Sequence, residues 1–346
     1  DRRPSTASAA YWTLGPQWGS GVINSAQAID VDPVTDEVLV FSYYDNKIFR
    51  FDQAGNKIGE IGAGFGTGTG QINGPGDLAV APNRDIFATD RGNRRVHRFS
   101  ADGTLLNTFG SSALFSNPLG AATDAAGNVF IADVGNGTVR KFSPTGTILR
   151  SYSLGTSPFG VGIDPNGKLW VADQSGVIRK ADPDTGTLLL SFTIPGSAQT
   201  ADLDFDTNNQ VHIPNFNTGQ VLTYTLDGTY VDTVTAGTGS NVFRIALADS
   251  GKAFVTVRNY IQVLDPPGPI DTDGDGIPDD LDGDPANASG SFGDAAGTSG
   301  EVVSNGTGAP VTLVNLPDPD GVKVITGGTS GQVTIKTCGF FTLQVQ

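Results

Sequence analysis

Two groups of residues in this 346-residue chain have types and spacing suited to chemistry. The first is the acidic run 271–284, DTDGDGIPDDLDGD. Carboxylates stand at its first, third and fifth positions (Asp271, Asp273, Asp275) and Gly276 at the sixth. That order sends oxygen ligands to one side of a sharp bend that glycine permits, which is the logic of a calcium loop. Asp279 falls at the ninth position and Asp282 at the twelfth, where an EF-hand carries the longer Glu, and no flanking helix is readable. Seven carboxylates within fourteen residues make Asp271, Asp273, Asp275, Asp279, Asp282 and Asp284 the candidate Ca2+ ligands. The competing reading is a solvated acidic linker. The second group is Asp77, Asp202 and Arg244, far apart in sequence and related only through the repeat that positions them.

That repeat is clearest at 75–110, PGDLAVAPNRDIFATDRGNRRVHRFSADGTLLNTFG. Four apolar runs of three to six residues alternate with turns rich in Asn, Asp, Gly and Pro, the pattern of consecutive hairpins. Related segments end at residues 42, 90, 133, 173, 215 and 257, with spacings of 48, 43, 40, 42 and 42. Six four-stranded units at that period imply an all-β, six-bladed β-propeller. The last copy runs into Pro266-Pro267 without an outer strand. The segment 11–15, YWTLG, resembles 106–110, LNTFG, and is expected to supply that strand and close the ring. Aligning the copies places Ala28, Asp77, Gly120, Gly160, Asp202 and Arg244 in one ring at the channel mouth. Asp77 and Asp202 come from opposite blades, with Arg244 beside Asp202, which leaves room for a small-ligand or ion site; the favoured reading is a solvated, partly paired rim.

The repeat resembles the NHL family, on DRGNRRVHRFSADG, DVGNGTVRKFSPTG and DQSGVIRKADPDTG. The resemblance implies that the Arg of each such segment ties adjacent blades, at Arg94 or Arg95, Arg140 and Arg179. The cluster Arg84–Arg98 is therefore read mainly as structural, with a grip on an acidic polymer or an acidic neighbouring subunit as the functional reading. Peptide-amidating lyases resemble NHL rings but need a three-His zinc site, and only His97 and His212 occur here. Gluconolactonase-like propellers use a Glu, Asn and Asp metal set, whereas Glu37, Glu60 and Glu301 are the only glutamates. No G-x-S-x-G nucleophile motif is present. These absences argue for a non-enzymatic protein, with a ligand-binding, lyase-like or lactonase-like mouth as the alternative. The run 271–284 in turn resembles a thrombospondin type 3 repeat, which implies calcium wrapped by little other structure.

Formal charge is −15, and 16% of residues are charged. Nucleic acid and anionic lipid favour basic surfaces, so neither is an expected partner. No apolar run approaches the length of a membrane-spanning helix. The chain contains no Met, even at position 1, which suggests a cleaved leader and a secreted, cell-surface location. The single Cys338 allows no internal disulfide. Sequons stand at Asn136, Asn287 and Asn305. Residues 266–346 hold ten Asp and Glu301 against Lys323 and Lys336, so the composition shifts at the linker 266–269.

The expected organisation is a propeller over 10–265, a Pro-rich linker and calcium hinge over 266–288, and a small β-domain over 289–346. Its strands are expected at 311–316, 322–326, 332–337 and 340–345, where Phe341, Leu343 and Val345 share one face. So small a domain has little core, and its final strand presents a free edge. The expected function is accordingly a calcium-stabilised, secreted structural or adhesive protein. Its expected partners are other proteins, including copies of itself joined through 289–346 into a filament or surface layer.

Overall fold

The computed structural model describes residues 12–155, 157–195, 200, 202–237 and 242–266, and the backbone of 311–314 and 333–336. The chain divides into two units, Asp1–Pro266 and Pro267–Gln346. The first is an all-β propeller of six four-stranded antiparallel sheets. Blade 2 shows the plan, with strands Pro75–Val80, Ile86–Asp90, Arg95–Phe99 and Leu105–Phe109 running from the axis outward. The inner strands of the other blades are Ala26–Val31, Pro118–Thr123, Pro158–Ile163, Asp204–Phe205 and Val242–Leu247. Val242–Leu247 of blade 6 packs on Ala26–Val31 of blade 1, so the circle is complete.

Burial follows the sheet positions. The second strand of blade 2, Ile86–Asp90, is buried at every residue, because both of its faces meet neighbouring blades. A continuous apolar run is what such a strand needs. The outer strand Leu105–Phe109 alternates between half-buried and exposed residues, since only one face packs inward. The core is accordingly a set of apolar clusters between blades. One of them joins Leu39, Phe41 and Ile48 of blade 1 to Leu78, Ile86 and Phe99 of blade 2.

Closure is made by the N-terminal strand Thr13–Trp18, which pairs antiparallel with Tyr260–Asp265 as the outer strand of blade 6. Trp12 and Trp18 are buried on either side of this strand, each in a different core cluster. Leu14 stays 61% exposed, so the two tryptophans carry the apolar contact rather than Trp12 with Leu14. A ring closed by strand pairing leaves no open seam between its ends.

In the second unit, Val311–Val314 and Val333–Lys336 pair in parallel. The strands expected at 322–326 and 340–345 lie outside the described residues, as do Cys338, Asn287 and Asn305. The six expected calcium ligands, Asp271, Asp273, Asp275, Asp279, Asp282 and Asp284, lie outside them too. No described helix is long and apolar enough to cross a membrane.

Candidate functional site

A β-bulge near the start of the inner strand builds the mouth. In blade 2 the pairing slips between Pro75 and Leu78, and in blade 6 between Val242 and Ile245. A bulge re-aims a side chain and leaves an amide off the ladder. Here the Asp77 amide donates to Thr89 Oγ1 (2.6 Å) and the Arg244 amide to Thr256 Oγ1 (2.9 Å). Both hydroxyls are buried on the neighbouring second strand. Asp77 and Arg244 therefore leave their strands at matching positions and meet at the axis.

The three predicted mouth residues come together as one buried group. Arg244 Nη1 lies 3.1 Å from Asp77 Oδ2 and 3.6 Å from Asp202 Oδ1. Arg244 Nε also donates to the Gln27 carbonyl at 3.4 Å, and the residue is fully buried. The carboxylates reach around the ring. Asp77 accepts from the Ala121 amide of blade 3 and Asp202 from the Ile245 amide of blade 6, each at 3.0 Å. Inner-edge amides have no further strand to pair with, and these side chains satisfy them. Between blades 3 and 4 there is no room for a side chain. A Cβ on Gly120 would stand 2.4 Å from the Phe159 carbonyl oxygen.

Burial raises the Asp77 carboxyl above its ordinary range against the opposing pull of Arg244. Asp202 is raised well above it, by burial and by the negative charge of Asp77. One guanidinium between two buried carboxyls favours one ionised and one protonated acid. The arrangement can therefore hold, give and accept a proton in a place shielded from water.

Two further acids lie one step deeper, at residues that the ring alignment passed over. Asp30 accepts from Val80 of blade 2 (2.7 Å) and Asp204 from Leu247 of blade 6 (2.8 Å). Both line a cavity of about 180 Å³ along the axis, with Asp77, Asp202 and Thr123. Burial, then the charge of Asp204, pushes Asp30 up to about 8; burial pushes Asp204 up to about 7. The signal was present in the sequence. Asp30 and Asp204 stand two residues after Ala28 and Asp202, on the same face of a strand.

Above Arg244 the mouth is covered by aromatic rings. Phe159 and Phe243 meet edge to face at 6.0 Å, and Phe216 meets Phe243 at 5.8 Å. The guanidinium carbon lies 5.9 Å from the Phe159 centroid and 5.3 Å from that of Phe243. All three rings are half-buried, so they present apolar surface at the entrance. The repeat alignment does not mark them, because Phe159 and Phe243 stand one residue before the aligned positions Gly160 and Arg244.

The basic cluster divides by role. Arg84 pairs with Asp32 of blade 1, and Arg98 with Asp85 of its own blade while reaching Pro144 of blade 3. Arg95 pairs with Asp90 and donates to the carbonyls of Thr67, Gly68 and Gln71. Arg140 and Arg179 likewise pair with Asp133 and Asp173. The recurrent Arg therefore ties the end of its own second strand and nearby loop, while Arg84 and Arg98 reach across blades. Asp90 shows why its position recurs. Burial alone would raise its carboxyl, but hydrogen bonds from His97, Asn73, Asn93 and Arg95 hold it below the ordinary range. His97 and His212 are both fully buried in strands, paired with Asp90 and Asp206. The Asn136 side chain bridges Leu114 and Asp133. Among the described residues no group of three or more His, Cys, Asp or Glu is arranged to hold a metal.

A family model described as NHL repeat matches residues 115–142, within blade 3. No curated protein matches the chain. Among solved structures, a streptogramin B lyase superposes with a TM-score of 0.56 at 18% identity, covering 75% of this chain and all of that one. Virginiamycin B lyase from Staphylococcus aureus gives 0.54 at 15% identity, over 74% of this chain and 88% of that one. A catalytically inactive variant of that lyase, with quinupristin, gives 0.55 at 15%, over 71% and 82%. Identities this low establish a common propeller fold. They also correct the expectation of a non-enzymatic ring, which rested on missing His, Glu and nucleophile motifs. The superposed lyases are enzymes on this fold, so those missing motifs are no ground for calling the chain inert.

Proposed function

We propose that the propeller binds a small molecule at its channel mouth and carries there a proton-transfer site of the kind a lyase requires. The observation that carries this reading is the buried Asp77–Arg244–Asp202 group beneath Phe159 and Phe243. In an elimination, a base takes a proton from carbon, the bond to the leaving group breaks with its electron pair, and an acid protonates that group. Asp77, closer to Arg244, serves as the ionised base, and Asp202, raised further by burial and by Asp77, as the acid. The lyase structures of the same fold support the reaction class, and quinupristin, present in one of them, is the first compound to test.

The experiment follows quinupristin and a panel of aromatic esters by mass spectrometry, with wild type, Asp202→Asn and Phe243→Ala. A lyase step cleaves without adding water, whereas hydrolysis adds its mass. Turnover of that kind by wild type, lost in Asp202→Asn, is the expected result. Turnover unaffected by both substitutions, or none with any compound, overturns the assignment.

We further propose that the run 271–284 binds calcium through Asp271, Asp273, Asp275, Asp279, Asp282 and Asp284. The 1-3-5 carboxylate spacing followed by Gly276 supports this.

A further inference from the structure

The mouth face of the propeller is chemically two-sided. The residue after each second strand occupies the same register in every blade: Tyr43, Arg91, Val134, Gln174, Phe216 and Arg258. Blades 6, 1 and 2 thus contribute two cations and a phenol, and blades 3, 4 and 5 contribute apolar and amide groups. Phe159 and Phe243 extend the apolar side over the axis. On the cationic side, Arg94 is exposed, and Tyr44 is 68% exposed with its ring edge-to-face on Tyr43 at 5.2 Å.

Charge is distributed between the two faces in a way the net charge of −15 conceals. Turns at the far face carry Asp52, Asp102, Asp182, Asp227 and Asp249. At the mouth, Arg95, Arg140 and Arg179 are committed to Asp90, Asp133 and Asp173, whereas Arg84 and Arg98 pair with Asp32 and Asp85 toward the far face. The side chains of Arg91 and Arg94 form no ion pair among the described residues. On so acidic a chain, two cations left out of such pairing at the entrance to a cleft raise the local concentration of anions.

We propose that the mouth receives an amphipathic anion: a carboxylate, sulfonate or phosphate carried on an aromatic body. This rests on the assignment of the mouth as the ligand site and adds the class of ligand. The anion meets Arg91 and Arg94 on the side of blade 2. The body lies against Phe243, Phe159 and Phe216, whose edges and faces suit offset or edge-to-face contact. Specificity follows from the two-sided mouth: a neutral aromatic satisfies one half and a small anion only the other.

The test uses the full chain and two fluorescent dyes with one aromatic body, anilinonaphthalene sulfonate and its uncharged counterpart phenylnaphthylamine. Wild type should bind the sulfonate at one site about tenfold more tightly, the worth of a single charge-assisted hydrogen bond. The double substitution Arg91→Gln and Arg94→Gln should abolish that preference and leave the affinity for the neutral dye unchanged. Phe243→Ala should weaken both dyes. Equal affinity for the two dyes, or a preference that survives loss of both arginines, overturns the anion class while the mouth remains the ligand site. Insensitivity of both dyes to Phe243→Ala places them elsewhere and removes both proposals. An arginine-dependent preference in a protein that turns over no compound upholds the ligand class and removes only the lyase assignment.

Discussion

Replacing Arg244 by Met tests the axis of the ring directly. The side chain is fully buried, with Asp77 at 3.1 Å, Asp202 at 3.6 Å and two phenylalanine rings over its guanidinium. Met keeps much of the volume and removes the charge, so the loss is electrostatic more than steric. Breaking a buried pair from one side leaves uncompensated charge and costs about 3–5 kcal/mol. For a propeller of this size each kcal/mol lowers Tm by roughly 2–4 °C, so a fall on the order of 10 °C is expected at pH 7. The penalty should itself depend on pH. Both carboxyls already titrate above their unfolded value, and without Arg244 they rise further, so the folded state binds protons that the unfolded state has released. Acidification toward pH 5 should therefore recover part of the loss. Adding Asp77→Asn to Arg244→Met should recover more, because one acid no longer needs a counter-charge. The assay is urea unfolding at pH 7 and pH 5 for wild type, single and double variants. A single variant within about 1 kcal/mol of wild type at pH 7 would refute the reasoning, as would a penalty equal at both pH values.

Other outcomes are expected from separate parts of the molecule. Asp30 and Asp204 have folded values near 8 and 7 against 3.8; a raised carboxyl destabilises the fold once its unfolded form has ionised. Their contribution to stability should decline from about pH 4 to pH 8, and Asp30→Asn with Asp204→Asn should flatten that slope in urea unfolding; an unchanged slope contradicts it. Trp12 is 3% exposed and stacks edge-on to His212 at 5.2 Å, so Trp12→Ala should cost about 3–5 kcal/mol by calorimetry. A cost under about 1 kcal/mol would show that closure does not depend on this anchor. Gly120→Val should impair folding, because even a Cβ would meet the Phe159 carbonyl oxygen at 2.4 Å; wild-type expression and Tm would contradict the close approach. If the run 271–284 holds calcium, a chelator should increase proteolysis there, and identical digestion with and without chelator removes the proposal.

Much of the fold was legible in the chain. The repeats ending in IFATD90, VFIAD133 and LWVAD173 announced the blades, because second strands buried on both faces demand unbroken apolar runs. Their spacing then set the number of sheets, and the segment at Trp12 supplied the strand that the last repeat lacked. The ring alignment also selected Asp77, Asp202 and Arg244, since equivalent positions in a closed repeat must share one level around the axis. Tertiary structure decided what those residues do. A bulge has no reliable sequence signal, and bulges near the starts of the inner strands bring Arg244 between two acids instead of leaving a solvated rim. Phe159, Phe216 and Phe243 belong to three different blades and become one surface only when the ring closes. The same holds for the raised carboxyls, because the energy of a charge depends on the dielectric and the neighbours around it, and a linear chain specifies neither.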